Sequence, residues 1–177
     1  MSSNNSNIKQ CTPPAVIIAG WSGSGKTTFV ERLLPLLKKK NLKVGTVKHH
    51  HANLEIDKEG KDSYRHRKAG ADRTIISSLN SVAMIMGADH DPRLDELLPF
   101  MQGMDIVIVE GYKKEKRPKI EIFRSAVHEK PRFLHDPDLI AVASDTKLDL
   151  KVPLFDLDNP EGVADFICEY FNLPRIP

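Results

Sequence analysis

Gly20-Trp21-Ser22-Gly23-Ser24-Gly25-Lys26-Thr27, with Thr28 behind it, fits the pattern G-x-x-x-x-G-K-[ST]. The apolar run Val16-Ile17-Ile18-Ala19 precedes it and reads as a buried strand. The segment after it spaces its apolar residues for an amphipathic helix. Strand, glycine-rich loop and helix in that order make a phosphate-binding loop. The chemistry asks for these residue types. Glycines let backbone N–H groups approach phosphate oxygens where a side chain would collide. The first helical turn adds unpaired N–H donors and the positive end of its dipole. Lys26 supplies a mobile charge for the β- and γ-phosphates, and the Thr27 hydroxyl a ligand for Mg²⁺. The expected ligand is a nucleoside triphosphate.

Working outward, the chain has 177 residues, enough for one domain with a real core. We therefore expect a polar, flexible tail over 1–14 and a single nucleotide-binding domain over 15–177. A formal net charge of +2 argues against a dedicated nucleic-acid binder. No apolar run approaches the ~18 residues of a membrane span, and the polar N-terminus has no signal-peptide core. Cys11 and Cys168 lie far apart with no metal-like spacing. A cytoplasmic protein with incidental thiols is the expectation.

After the loop, Phe29, Val30, Leu33, Leu34, Leu36 and Leu37 form one helical face, closed by Lys38-Lys39-Lys40 at its negative end. Pro35 inside that pattern predicts a kink. Lys43 to Lys48 reads as a second strand running into His49-His50-His51, then Asn53, Asp57 and Gly60. Ligands of open α/β sheets collect at carboxyl strand ends, so this polar cluster is well placed. Neighbouring histidines on one strand cannot all reach one ion, and anion contact, a plain loop and a metal site remain open readings. Lys61 to Ala69 has helix-forming composition and carries Arg65, Arg67 and Lys68, with Arg73 beyond. Arg73 to Ser77 and Ser81 to Met86 predict a hairpin added to the sheet. Arg93 to Met101 reads as a short helix that Pro99 can end early.

Asp105-Ile106-Val107-Ile108-Val109-Glu110-Gly111 is a buried parallel strand with a carboxylate at its tip. That placement suits an acid holding Mg²⁺ directly or through water, the Walker B role. Lys113 to Lys119 then carries five positive charges against one negative. Ile120 to Phe123, Leu139 to Ala143 and Val152 to Phe155 read as further strands, and Gly162 to Phe171 as a closing helix. The sum is an α/β, three-layer P-loop NTPase fold with a mostly parallel central sheet.

Seven segments together resemble one family. They are residues 20–28, Val-Lys-His-His-His (47–51), Asp-Lys-Glu-Gly-Lys-Asp-Ser-Tyr (57–64), Arg-Lys-Ala-Gly-Ala (67–71), Ile-Val-Ile-Val-Glu-Gly-Tyr-Lys (106–113), Lys-Ile-Glu-Ile-Phe-Arg (119–124) and Ile-Ala-Val-Ala-Ser-Asp (140–145). The chain is similar to molybdopterin-guanine dinucleotide biosynthesis protein B from about Ala15 to Phe171. The phosphate loop alone would match many families, whereas 57–64 and the Glu-Gly-Tyr-Lys strand end are far more specific.

The resemblance implies a GTP-binding protein with weak GTPase activity, working as a homodimer beside the guanylyltransferase that attaches GMP to molybdopterin. By motif, Gly23, Ser24, Gly25, Lys26, Thr27 and Thr28 would hold phosphates. Thr27 with Asp57 or Glu110 would hold Mg²⁺, and Lys26, Asp57 and Glu110 would serve hydrolysis. Asp57-Lys58-Glu59-Gly60 also fits the short Asp-x-x-Gly form that GTPases place near the γ-phosphate. Guanine has two candidate readers: Asp145 after a buried strand, and Asp149 in Thr146-Lys147-Leu148-Asp149, a relaxed [NT]-K-x-D. Two basic segments, Arg65 to Arg73 and Lys113 to Lys119, offer charge for a pterin phosphate or an acidic partner surface. The alternative is a P-loop small-molecule kinase of the nucleoside-kinase type, although no long arginine-rich lid is visible.

Overall fold

The computed structural model describes residues 12–50 and 57–174. Residues 1–11 of the expected tail, with Cys11, lie outside the described residues, as do His51 and Asn53 of the polar cluster. The chain divides into two compact units, one built from the described parts of 1–49 and 94–177, the other from those of 50–93.

The larger unit is a six-stranded sheet. Its strands are β1 (Ala15–Ala19), β2 (Val44–Lys48), β5 (Ile106–Glu110), β6 (Lys119–Phe123), β7 (Leu139–Ser144) and β8 (Leu154–Asp156). They lie in the order β2-β5-β1-β6-β7-β8. Every pairing in this sheet is parallel, so all six carboxyl ends share one edge. β1 stands in the middle, with Ile18 opposite Glu110 on one side and Ala19 opposite Glu121 on the other.

Alternation along these strands builds two cores. Val16, Ile18, Ile106, Ile108, Ile120 and Ile122 pack with Phe29, Leu33 and Leu37 of α1 (Lys26–Lys39) and with Val163 and Ile167 of α4 (Pro160–Tyr170). Ala15, Ile17, Val107, Val109 and Phe123 point the other way, onto Leu94, Leu98 and Phe133. That is the expected three-layer arrangement, with both faces of the sheet covered. α1 runs through Pro35 as one helix. The Arg93-to-Met101 segment forms α3 (Leu94–Leu97) and then tightens to a 3-10 turn at Leu98–Met101, where Pro99 supplies no N–H for an α-type bond.

The smaller unit holds α2 (Asp62–Lys68) and an antiparallel hairpin of β3 (Arg73–Ser77) and β4 (Val82–Met86). The hairpin was expected as an addition to the central sheet. It is instead a separate two-stranded sheet. Its apolar residues do not reach a core of their own, and Ile75, Ile76, Val82 and Met84 are exposed.

Candidate functional site

The glycine-rich loop leaves the carboxyl end of β1 and closes on the start of α1. Gly20 has φ 137° and lies so near β6 that a Cβ there would collide with the Ile122 carbonyl oxygen. Gly25 caps α1 from the left-handed region at φ 86°, ψ 21°, which an L side chain rarely adopts. The Ser24 N–H donates to the Trp21 carbonyl at 3.3 Å, and the Phe29 N–H to the Gly25 carbonyl at 2.8 Å. The N–H groups of Lys26, Thr27 and Thr28 therefore stand at the open end of the helix. Gly23 also takes a positive φ, 78°. Ser24 is buried, and among the described residues its hydroxyl has no hydrogen-bond partner.

Lys26 folds its Nζ over the loop, donating to the carbonyls of Trp21 at 2.6 Å and Gly20 at 3.4 Å. Burial holds its pKa below the ordinary lysine value, and Lys113, Lys48 and Arg132 push it the same way while Glu110 opposes them. Several cations thus crowd one loop against a single nearby carboxylate. Such a surplus favours a polyanion.

Glu110 is that carboxylate. β5 pairs with both β1 and β2, so its tip stands beside the loop. The Thr27 hydroxyl donates to Glu110 Oε1 at 2.9 Å, with Oε2 3.1 Å away. Lys48 at the tip of β2 lies 3.4 Å from both Glu110 Oε1 and Thr27 Oγ1. Glu110 is 17% exposed and Lys48 57%, so the ion pair contributes at most about 1 kcal/mol. A hydroxyl and a carboxylate held together at a strand tip are hard oxygen donors of the kind Mg²⁺ takes.

The far side of the loop is gripped by the chain after β6. Trp21 stacks on His128 with ring centroids 3.9 Å apart, and the Arg132 guanidinium lies 4.6 Å from its ring. The Trp21 indole N–H donates to the Lys130 carbonyl at 3.2 Å. Glu121, fully buried, fixes this segment by accepting the N–H groups of Arg132 at 2.6 Å and Phe133 at 2.9 Å. Burial raises its pKa above the usual carboxylate value.

The remaining sequence candidates are distributed differently. Asp57 belongs to the smaller unit, where it accepts from Ser63 Oγ at 2.7 Å and Arg67 Nε at 3.0 Å. The Ser63 hydrogen bond, with Arg67 behind it, holds its carboxyl below the usual range. Arg67 is thereby committed to an acid rather than offered to a ligand, and Arg65 lies 3.6 Å from Asp62. Asp145 is exposed after β7, and its Oδ1 accepts the Ser125 N–H at 2.8 Å. Asp149 is exposed in the segment between β7 and β8.

The Lys113-to-Lys119 segment does not present five free cations. Lys119 is buried within 3.2 Å of Asp136 and 3.4 Å of Asp138, and Arg117 pairs with Asp95. Lys113, Lys114 and Lys116 remain exposed. Sequence reading also missed Lys48, Glu121 and the Trp21–His128–Arg132 grip. For Glu121 a signal existed, since it stands among Ile120, Ile122 and Phe123 in a strand flanked by two others.

Comparison with known proteins bears on the family. The profile of the family described as Molybdopterin guanine dinucleotide synthesis protein B matches residues 15–145. The molybdopterin-guanine dinucleotide biosynthesis adapter protein of Escherichia coli (strain K12) is 40% identical over 166 residues, covering 90% of this chain and 94% of that protein. Its counterpart from Haemophilus influenzae is 37% identical, with 90% of each chain covered. Among solved structures, Bacillus subtilis MobB superposes with a TM-score of 0.69 at 31% identity, over 91% of this chain and 98% of its own. A structure of molybdopterin-guanine biosynthesis protein B gives a TM-score of 0.71 at 27% identity, over 88% of this chain and 99% of its own. Loop, strand order and relatives lead to one conclusion: this chain belongs to the molybdopterin-guanine dinucleotide synthesis protein B family.

Proposed function

We propose that this protein is a GTP-binding adapter in molybdopterin-guanine dinucleotide biosynthesis, assisting the guanylyltransferase that attaches GMP to molybdopterin. The observation that carries the reading is the pairing of the Thr27 hydroxyl with Glu110 beside Lys26, at the mouth of a glycine loop. Gly23 to Thr28 would cradle the phosphates, and Thr27 with Glu110 would hold Mg²⁺, which supplies charge neutralisation between phosphate oxygens when bound. In this reading hydrolysis is slow and Mg²⁺-dependent. Asp57 already bonds Ser63 and Arg67, which makes Glu110 the better metal candidate.

Guanine selection falls to Asp145 or Asp149. Asp145 lies next to the loop-gripping segment through Ser125, and its remaining acceptor sites suit the paired N–H groups of a guanine edge. The pterin phosphate or the partner's acidic surface would meet Lys113, Lys114 and Lys116. Homodimer formation fits the exposed apolar residues of the β3–β4 hairpin. Among the described residues no helix is long and apolar enough to cross a membrane, and a cytoplasmic location suits the pathway. The adapter role of the relatives favours an adapter over a small-molecule kinase.

The test is calorimetric titration of GTP and ATP, with Mg²⁺, into the parent and Lys26→Ala. GTP should bind at least about tenfold tighter than ATP, corresponding to about 1.4 kcal/mol from one base-edge contact. Lys26→Ala should lose most triphosphate affinity and keep its fold. Equal GTP affinity in parent and variant would remove the assignment of this loop. Equal ATP and GTP affinity would remove guanine selectivity.

A further inference from the structure

Arg124 is the first residue beyond β6, at the carboxyl edge of the sheet. β6 flanks β1 on the side opposite β5. Arg124 therefore approaches the glycine loop from the side away from Glu110 and Lys48. Its guanidinium ends against the loop, with one terminal nitrogen 3.6 Å from where a Cβ on Gly25 would stand. Gly25 is the cap of α1, directly before Lys26 and the open N–H groups of Lys26, Thr27 and Thr28.

Among the described residues the Arg124 side chain has no hydrogen bond or ion pair. Arg132, which also reaches the loop, is committed, since it lies over the Trp21 ring. Holding a guanidinium half-buried against the glycine loop with no acid bonded to it carries a desolvation cost. Its backbone explains why it stays. The Arg124 carbonyl accepts the N–H groups of Val127 at 3.0 Å and His128 at 3.3 Å, closing a turn whose His128 ring stacks on Trp21. The turn thus fixes the side chain's origin relative to the loop it reaches.

We propose that Arg124 is a phosphate-contacting residue supplied by the chain itself, bonding the β/γ end of the phosphate chain from the β6 side. The inference rests on the reading of the glycine loop as a triphosphate site. A planar fork of donors suits two phosphate oxygens at once. With Thr27 and Glu110 working from the β5 side, the phosphate chain would meet fixed charge on both flanks. The same fork would neutralise charge that grows on the terminal phosphoryl group during hydrolysis.

The experiment measures GTP, GDP and GMP binding by calorimetry, and GTP hydrolysis, in the parent, Arg124→Ala and Arg124→Lys. Trp21 fluorescence and thermal unfolding report whether the loop and fold are intact. Arg124→Ala should weaken GTP and GDP by about tenfold or more and leave GMP nearly unchanged. Arg124→Lys should recover part of that affinity but not the parent's hydrolysis rate, because a point charge lacks the fork. Unchanged GTP and GDP affinity in Arg124→Ala overturns the proposal, and so does an equal loss for all three nucleotides, which would place Arg124 against ribose or base. A parent protein that binds none of them overturns the triphosphate reading itself. A parent that binds GTP while Arg124→Ala matches it overturns only the role of Arg124.

Discussion

Replacing Gly20 by alanine tests how the loop is seated. The added methyl would sit inside contact distance of the Ile122 carbonyl oxygen, 3.3 Å from the Ile122 carbonyl carbon and 3.0 Å from Ser24 Oγ. The obstacle is backbone of the neighbouring strand, not the end of a flexible side chain. Gly20 also holds φ 137°, which alanine adopts only under strain. Backbone strain of this kind costs about 1–3 kcal/mol, and overpacking a tight site about 1–3 more. Partial relief by separating Ala19 from Glu121 would in turn loosen β1 from β6. The expected loss is roughly 2–6 kcal/mol of a stability of about 5–15. The variant should still fold. Urea unfolding followed by far-ultraviolet circular dichroism measures the loss, and fluorescence of Trp21, the single tryptophan, reports the loop. A midpoint change worth under about 1 kcal/mol, with unaltered Trp21 emission, would refute the reasoning.

Glu110→Gln keeps the strand-tip shape and removes its charge. GTP hydrolysis at limiting Mg²⁺ should fall about tenfold or more while nucleotide binding changes less, and an unchanged rate would pass the metal role to Asp57. Glu121 titrates above its unfolded value because burial penalises the anion. The unfolded chain therefore releases its proton first, and stability is lost as pH rises from the usual glutamate range to the raised native pKa. Parent stability relative to Glu121→Gln should decline across that window in urea midpoints, although the variant costs about 1–3 kcal/mol at low pH by turning an NH₂ group toward a backbone donor.

The glycine loop and the acid at the tip of β5 were legible because each is a run of neighbouring residues. Val107 and Ile108 need only sit in a buried strand for Glu110 to arrive at its end. The contact between Thr27 and Glu110 follows from strand order, which places β5 beside β1. Other features depended on partners far away in sequence. Lys119 looked like one more cation in a basic loop until β6 carried it inside to Asp136 and Asp138. Arg67 looked available until Asp57, ten positions earlier, took it. Trp21 gave no local sign that residues 128–132 would hold it. The hairpin was visible from its β-like runs, but alternation does not say which sheet a pair of strands joins. Charge counts over short windows therefore overstated the exposed basic surface.

The central position of β1 bears on how the chain is made. Within the large sheet β1 and β2 are synthesised before the other strands, yet they do not pair with each other. Each waits for β5, and β1 also for β6. No pairing within the large sheet can exist before Ile106–Glu110 has left the ribosome. At about 5–20 residues per second, several seconds separate β2 from its partner. During that interval β1 has no strand to pair with on either side, and Ile17, which faces away from α1, lacks its later partners Leu94, Leu98 and Phe133, a template for misassociation. The β3–β4 hairpin, whose contacts are local, can close in the meantime. Nascent chains halted before residue 106 should leave 15–19 open to protease, and chains extended past β6 should protect it.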